Sequence, residues 1–164
     1  MKTLEVLIVE SQTNFKDQLW SVIQTQHEKV LNTNVYRYEI DFDLDCLFYN
    51  LDLENPQSLA LVDHLKPHIS ALLIISDSSF MKDSNNKDLI DSVTKDFGDV
   101  PIVYGINVKP EYLEKLDSEI RNSGLYLSDR GRLCFWNEND RHSMVNVFNL
   151  LLSELQLVEE TVEI

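Results

Sequence analysis

The sequence predicts an α/β fold, a doubly wound three-layer sandwich in which helices cover both faces of a mostly parallel sheet. Strand-like and helix-like segments alternate along the chain, which is typical of this class. Most strand-like segments are continuous apolar runs, as expected for parallel strands that are buried on both faces. The chain has 164 residues, of which 43% are hydrophobic, enough for one core. We therefore expect a single domain over residues 1–158 and an acidic tail over residues 159–164.

Hydrophobic patterning defines the predicted elements of the first half of the chain. They are a buried strand at Leu4–Val9, an amphipathic helix at Asn14–Val30, a half-buried strand at Val35–Phe42, a short strand at Leu59–Val62 and a fully apolar strand at Ala71–Ser76. Val35–Phe42 alternates between apolar and polar residues, so we expect it near or at an edge of the sheet and antiparallel to its neighbour. The stretch Asp45–Leu53 also fits a short helix.

The second half continues the alternation of helices and strands. The predicted elements are a helix at Lys87–Phe97, a strand at Val100–Val108, a helix at Glu111–Arg121, a short strand at Leu133–Trp136 and an amphipathic helix at Arg141–Leu157. Gly98 and Gly124 follow the first two helices and favour helix ends. Pro110 precedes the second helix, where its fixed φ suits the first turn.

Composition excludes several classes of function. The chain has 14 Lys and Arg against 28 Asp and Glu, a net charge of −14, which would repel nucleic acid and anionic membranes. The 2 cysteines have no metal-ligand or disulfide-framework spacing. His64 and His68 flank Pro67, which disfavours a helical metal site. With no membrane-spanning run and no signal pattern, we expect a cytoplasmic protein without nucleic-acid partners, membrane insertion, metal or cofactor.

The turn after the first strand matches the frame of a phosphate-binding loop but not its chemistry. Residues 10–17 have the length and place of G-x-x-x-x-G-K-[ST]. Only Lys16 agrees with this motif. Glu10 and Phe15 replace the two glycines, and Asp17 replaces the hydroxyl that binds magnesium. Each carboxylate would repel a triphosphate by about 1–4 kcal/mol at close range, so the sequence predicts that no nucleotide binds here. An atypical enzyme that retains some phosphate binding through Lys16 is the alternative that the sequence leaves open.

Three segments from residue 69 onwards resemble Ras-like small GTPases, in particular the bacterial MglA type of polarity and gliding motility. Ile69–Ser79 resembles the fourth strand of that family. Gly98–Pro110 resembles the fifth strand running into the guanine-recognition motif N-K-x-D, and Leu133–Met144 resembles the last strand, the base-contacting loop and the start of the final helix. The resemblance implies a Ras-like G-domain with one antiparallel edge strand.

The same resemblance implies that the nucleotide motifs are degenerate. Asn107 matches the family asparagine, but Val108 replaces the lysine that packs on the base and Pro110 replaces the aspartate that recognises guanine. Asp63 stands at the D-x-x-G aspartate, with Lys66 in place of the glycine. The resemblance thus implies a pseudo-GTPase: not an enzyme, without bound nucleotide, and acting as a protein-interaction module.

The partner implied by the resemblance is another protein, because MglA-type relatives act in cell polarity, gliding and type IV pilus regulation with small roadblock-type proteins. In Ras-like proteins partners recognise the regions that flank the second and third strands. The candidate interaction residues lie on the predicted half-buried strand and are Tyr36, Arg37, Tyr38, Glu39, Ile40 and Phe42. Aromatic and aliphatic groups of this kind are enriched at interfaces, and an edge strand also accepts another strand.

A response-regulator receiver domain is the alternative. Leu59–Pro67 resembles its phosphoacceptor strand, with Asp63 as the phosphorylated residue, and Lys109-Pro110 resembles its terminal Lys-Pro pair. Glu10 provides one of the two acids that a receiver needs to bind magnesium, but Ser11 stands in the second place. The interval between Asp63 and the next strand is too short for the expected helix. A parallel second strand followed by a helix at Asp45–Leu53 would favour the receiver.

Overall fold

The computed structural model describes residues 2–10, 14–23, 26–30, 33–51, 56–78, 84–97, 99–116, 118, 127 and 129–162. Its strands are β1 (Lys2–Glu10), β2 (Gln26–Val30), β3 (Thr33–Asp41), β4 (Leu44–Leu51), β5 (Ile69–Asp77), β6 (Ile102–Asn107) and β7 (Gly131–Trp136). Its α-helices include α1 (Phe15–Val22), α2 (Pro56–Leu65), α3 (Ser84–Lys95) and α4 (Arg141–Val162). A short 3-10 helix covers Pro110–Tyr112.

The strands form one 7-stranded sheet in the order β2-β3-β4-β1-β5-β6-β7. β1 is parallel to both β4 and β5, and β6 is parallel to both β5 and β7. β3 is antiparallel to β4, and β2 is antiparallel to β3. This confirms the predicted α/β class with a mostly parallel sheet, and it confirms that β3 is antiparallel to its neighbour. The edge strand, however, is β2 and not β3, because β2 pairs with the first half of β3.

The predicted helix over Asn14–Val30 is therefore wrong in its second half. α1 ends at Val22, and Ile23 has extended backbone at φ −97° and ψ 129°. Gln26–Val30 then pairs along Thr33–Arg37 as β2. A strand partner that is adjacent along the chain supplies ladder hydrogen bonds, and these override a weak helical pattern.

Two further predictions for the first half of the chain are wrong, because a predicted strand is a helix and a predicted helix is a strand. Leu59–Val62, predicted as a strand, lies within α2, whereas the described part of Asp45–Leu53, predicted as fitting a short helix, belongs to strand β4. β4 is a strand because β1 and β3 pair with it on either side. Residues 52 and 53 of the predicted helix lie outside the described residues. A strand in place of the helix, together with the antiparallel orientation of β3, contradicts the receiver alternative.

Helices pack on both faces of the sheet. One face carries α1 and α4, with a core that includes Phe15, Phe48, Trp136 and Phe148. The opposite face is covered by α2 and α3, whose buried residues Val62, Leu65 and Val93 pack with the apolar side chains of β1 and β5. Gly105 lies in β6 where a Cβ atom would stand 2.6 Å from Ile75 Cδ1 and 3.2 Å from Val147 Cγ1, so its lack of a side chain fits the close approach of α4.

The remaining elements agree with the sequence apart from their ends. The strands predicted at Leu4–Val9, Ala71–Ser76, Val100–Val108 and Leu133–Trp136 correspond to β1, β5, β6 and β7. The helix predicted at Glu111–Arg121 begins with the 3-10 turn, and most of its second half, with Gly98 and Gly124, lies outside the described residues. α4 continues to Val162, through the first residues of the predicted acidic tail. None of the described helices is both long and apolar enough to cross a bilayer.

Candidate functional site

The candidate site lies where the parallel strands end at one edge of the sheet, the place where doubly wound folds bind ligands. β1 ends at Glu10, β6 at Asn107 and β7 at Trp136. The backbone N–H of Val108 donates to the carbonyl of Trp136 at 2.9 Å, so the segments after β6 and β7 are joined. Phe15, in the phosphate-loop frame, also contacts Trp136. The structure thus brings together the degenerate phosphate loop and the degenerate base-recognition segment, although residues 11–13 of the loop lie outside the described residues.

Phe15, which replaces the second glycine of the phosphate loop, is a core residue. It is the first residue of α1 and is 0% exposed. Its ring contacts Trp136 edge to face, with centroids 4.7 Å apart and planes at 67°. Aromatic pairs of this geometry stabilise a core beyond their buried area. The first turn of α1 is therefore joined to the end of β7 by a hydrophobic contact.

Lys16, the motif residue that the chain retains, faces a carboxylate. Its Nζ lies 3.9 Å from Oε2 of Glu10, whose side chain is 5% exposed. In the phosphate-loop motif this lysine contacts the β- and γ-phosphates. Here Glu10, in place of the first glycine, already provides its counter-charge. Asp17 is exposed at the next position, and burial together with the Asp17 carboxylate raises the pKa of Tyr36.

The base-recognition side combines an apolar wall with a hydrogen-bonded loop. Val108 is buried, and Pro110 opens the exposed 3-10 turn. After β7, the side-chain amide of Asn137 donates to the Val108 carbonyl at 3.2 Å, and its Oδ1 accepts from the N–H of Asn139 at 2.8 Å. The hydroxyl oxygen of Ser143 accepts from the N–H of Asn137 at 2.9 Å. These bonds hold the loop in one conformation.

A cavity of about 420 Å³ opens between these segments, lined by Val108, Pro110, Leu113, Phe135, Trp136 and the loop after β7. Asn137 and Ser143 were not among the site residues that the sequence predicted. Their signal was present in the chain, since Asp140 and Ser143 stand where an N-cap pattern precedes the apolar periodicity of α4. Asp140 Oδ1 indeed accepts from the N–H of His142 at 3.0 Å.

The assignment of Asp63 and Lys66 to the D-x-x-G motif is wrong. Asp63 lies exposed within α2, and Lys66 follows that helix and pairs with Asp96 at 3.2 Å. The third strand of the GTPase frame is β4, so the motif position falls at residues 52–55, outside the described residues. The receiver alternative fails for the same reason, since Asp63 does not stand at the end of a parallel strand.

The predicted interaction residues divide between the two faces of β3 and its turn. Tyr36 stacks on Trp20 with centroids 4.7 Å apart, and Tyr38 contacts Phe148 edge to face at 5.1 Å. Ile40 packs on the same cluster. Arg37 Nε donates to Oδ2 of Asp45 at 2.8 Å, and Glu39 is exposed on β3. Phe42 is 92% exposed in the turn between β3 and β4.

The strand order and the site at the ends of β1, β6 and β7 define a P-loop GTPase-type fold. No family model and no curated protein matches the sequence. Among solved structures, the chain is similar to Era from Aquifex aeolicus bound to GDP·AlF4−, with a TM-score of 0.61 and 13% identity. It is also similar to Era in complex with MgGDPNP and a segment of 16S ribosomal RNA, with a TM-score of 0.59 and 13% identity. Each match covers 95% of this chain and 57% of the Era chain.

These similarities correct one expectation from the sequence. The prediction that the chain is not an enzyme is wrong at the level of the fold, because Era is a GTPase and both Era structures contain a guanine nucleotide. The fold is that of GTP-hydrolysing enzymes. At 13% identity the similarity establishes the fold alone. The activity of this chain therefore has to be inferred from its own residues.

Proposed function

We propose that this GTPase-fold domain acts by binding another protein, and that its phosphate loop does not take up a nucleoside triphosphate. The observation that carries the proposal is the pairing of Lys16 with Glu10 at 3.9 Å. Two opposite charges at this distance attract each other by about 1–4 kcal/mol between bulk water and a protein surface. A phosphate group would have to break that pair and then tolerate the Glu10 carboxylate beside it.

Phe15 supports the same proposal. The glycines of a phosphate loop let backbone N–H groups surround the phosphates. At the second glycine position this chain has a fully buried ring in contact with Trp136. Moving the first turn of α1 towards a ligand would open that contact, so the hydrophobic core opposes the rearrangement.

The base-recognition segment adds a further argument. Guanine recognition in the family uses the carboxylate that Pro110 replaces, and a site that lacks a buried hydrogen-bonding partner discriminates poorly. The Asn137 side chain bonds to the Val108 carbonyl and the Asn139 N–H within the protein. The loop is therefore ordered by its own contacts, and a guanine base would add no carboxylate bond.

For the partner, we propose a small roadblock-type protein or another component of cell polarity, gliding motility or type IV pilus regulation, in the cytoplasm. This follows from the resemblance to the MglA type of Ras-like proteins, whose partners recognise the regions that flank the second and third strands, here β3 and β4. β3 and β4 pair from Val35↔Tyr49 to Asp41↔Leu44. A preformed hairpin presents one surface, which suits constitutive rather than nucleotide-switched binding.

Thermal unfolding with and without Mg-GTP, Mg-GDP and Mg-GDPNP tests the proposal. A nucleotide present at one hundred times its Kd would stabilise the domain by about 2.7 kcal/mol, which raises Tm by several degrees. We expect no shift for the wild type and none for Lys16→Ala. A rise in Tm, or release of phosphate from GTP, that is lost in Lys16→Ala would overturn the proposal.

A further inference from the structure

Phe42, in the turn between β3 and β4, is a large apolar side chain held almost entirely in solvent. It is 92% exposed, whereas the other exposed large apolar side chains of the described residues are between 37% and 52% exposed. Partly exposed apolar residues are ordinary on protein surfaces. A phenylalanine ring with nearly all of its surface in water is a different case, because burial of that surface by another molecule would favour association.

The turn that carries Phe42 has a fixed backbone. The Phe42 N–H donates to Oδ1 of Asp41 at 2.7 Å, and the Lys2 N–H donates to the carbonyl of Asp43 at 2.7 Å. β3 and β4 stay paired as far as Asp41↔Leu44. The turn is therefore tied to itself, to β1 and to the strand pair below it. A side chain presented on a backbone that is already ordered loses little conformational freedom when it binds.

The turn lies at the end of the sheet opposite the candidate site. Lys2 at the start of β1 pairs with Leu44 at the start of β4, and the candidate site begins at Glu10, where β1 ends. Along the 9 residues of β1, a rise of about 3.3 Å per residue separates the two ends by about 26 Å. A partner bound at Phe42 therefore needs no contact with the phosphate loop or the base-recognition segment.

Carboxylates flank this ring along the chain. Glu39 and Asp41 on β3 and Asp43 in the turn are all exposed. Lys2 brings one positive charge to the same end of the sheet, so the carboxylates are in excess there. Because complementary charge steers association and disfavours wrong partners, the surroundings of Phe42 favour a partner that presents Lys and Arg.

Phe42 also borders an open groove of about 1010 Å³, which Glu39 and Asp41 line beside it. On its helical side the groove is lined by Val22 of α1 and Val145 of α4. Val22 is 38% exposed. The groove therefore gives a partner room to approach the ring from the side.

We propose that Phe42 is the anchor of a protein interface and inserts into an apolar pocket of the partner whose rim carries Lys and Arg opposite the three carboxylates. This inference rests on the proposed function and names the partner's chemistry. Aromatic side chains are enriched in the buried centre of interfaces, and charged groups lie at the rim. The acidic surroundings select against a second copy of this chain, which would bring another net charge of −14, and against an anionic membrane.

Photo-crosslinking of the full chain, in the cells that produce it, tests the inference. Benzoylphenylalanine in place of Phe42 keeps an aromatic group in the turn and, on illumination, bonds covalently to a molecule that lies against it. We expect one dominant protein adduct, in which the crosslinked segment of the partner is apolar and flanked by Lys or Arg. Benzoylphenylalanine in place of Tyr112, which is 47% exposed on the 3-10 turn, is the matched control and is expected not to give that adduct.

Fluorescence anisotropy with the purified partner then measures the contribution of each group. We expect Phe42→Ala to weaken binding at least tenfold and to leave the urea midpoint of unfolding unchanged, because the ring lies in solvent. The pair Glu39→Gln and Asp43→Asn, which leaves the hydrogen bonds of the turn in place, is expected to weaken binding at least threefold and to reduce its dependence on salt. The pair Glu111→Gln and Glu114→Gln removes two exposed charges elsewhere and is expected to bind like wild type.

Several results would overturn the inference. These are no adduct from position 42, an adduct between two copies of this chain, a crosslinked segment without Lys or Arg, partner binding that Phe42→Ala leaves unchanged, and co-sedimentation with phosphatidylcholine–phosphatidylglycerol vesicles that Phe42→Ala abolishes. The nucleotide assay separates the two proposals. A Lys16-dependent shift with GTP overturns the proposed function, whereas failure at position 42 without such a shift overturns only Phe42 as the anchor.

Discussion

Replacing Phe15 with glycine would restore a glycine of the phosphate-loop motif and, on the present reasoning, would severely destabilise the protein. Phe15 is 0% exposed and contacts Trp136 with ring centroids 4.7 Å apart. Truncating a buried phenylalanine costs about 3–5 kcal/mol, and glycine in place of alanine in a helix adds up to about 1 kcal/mol. We therefore expect Phe15→Gly to lower the free energy of unfolding by about 4–6 kcal/mol.

Urea unfolding followed by far-UV circular dichroism measures this loss. Typical domains have a total stability of about 5–15 kcal/mol, so the variant is expected to be only marginally folded. Phe15→Leu keeps most of the buried volume and is expected to cost far less, about 1–1.5 kcal/mol. Asp17→Ser restores another motif residue at an exposed position of the same turn and is expected to stay within about 0.5 kcal/mol of wild type.

The comparison among these variants decides whether the phosphate-loop position has become part of the core. A loss below about 1.5 kcal/mol for Phe15→Gly would refute the reasoning. So would equal losses for Phe15→Gly and Asp17→Ser, because the effect would then belong to the turn as a whole. Glu10 remains in every variant, so none of them is expected to gain stability from Mg-GTP.

Three further predictions concern the core. Burial is the main cause that raises the pKa of Tyr104 from 10.0 to about 12, and the Asp91 carboxylate adds to it. The stability that the protonated Tyr104 contributes is therefore complete below pH 10 and is lost as the pH rises towards 12. Urea unfolding across this range should show a smaller loss of unfolding free energy for Tyr104→Phe than for wild type. Gly105→Ala is expected to cost about 1–3 kcal/mol, because its Cβ would lie 2.6 Å from Ile75 Cδ1; an unchanged Tm would contradict this. Cys46 is buried, and burial raises its pKa. A thiol reagent should therefore label the half-buried Cys134 well before Cys46. Equal labelling rates in the folded protein would argue against the described core.

The sequence predicted the central strands well because strands buried on both faces consist mostly of apolar residues. β1, β5 and β6 are apolar along most of their length and have helices on both faces, and such runs allow few other structures. The phosphate-loop frame was also predictable, since the spacing from Glu10 to Lys16 fixes where the loop lies between β1 and α1.

The errors fall where the structure of a segment depends on a partner elsewhere in the chain. Gln26–Val30 is a strand because β3 lies beside it, and Leu44–Leu51 is a strand because β1 and β3 flank it. Leu59–Val62 resembles a strand in isolation but belongs to α2. Misplacing the third strand then moved the D-x-x-G assignment to Asp63, although the correct position follows β4.

The sequence by itself determined the α/β class, the acidic charge and the loss of glycines at Glu10 and Phe15, because these depend on composition and local spacing. Only the tertiary structure decided that Phe15 packs on Trp136, that Lys16 pairs with Glu10 and that Asn137 joins the segments after β6 and β7. It also decided that β2 covers the first half of β3 and that its second half lines a groove. The Lys16–Glu10 pair depends on how β1 and α1 are placed relative to each other. The other features join residues far apart in the chain or depend on strand register, and none of them is fixed by local hydrophobic pattern.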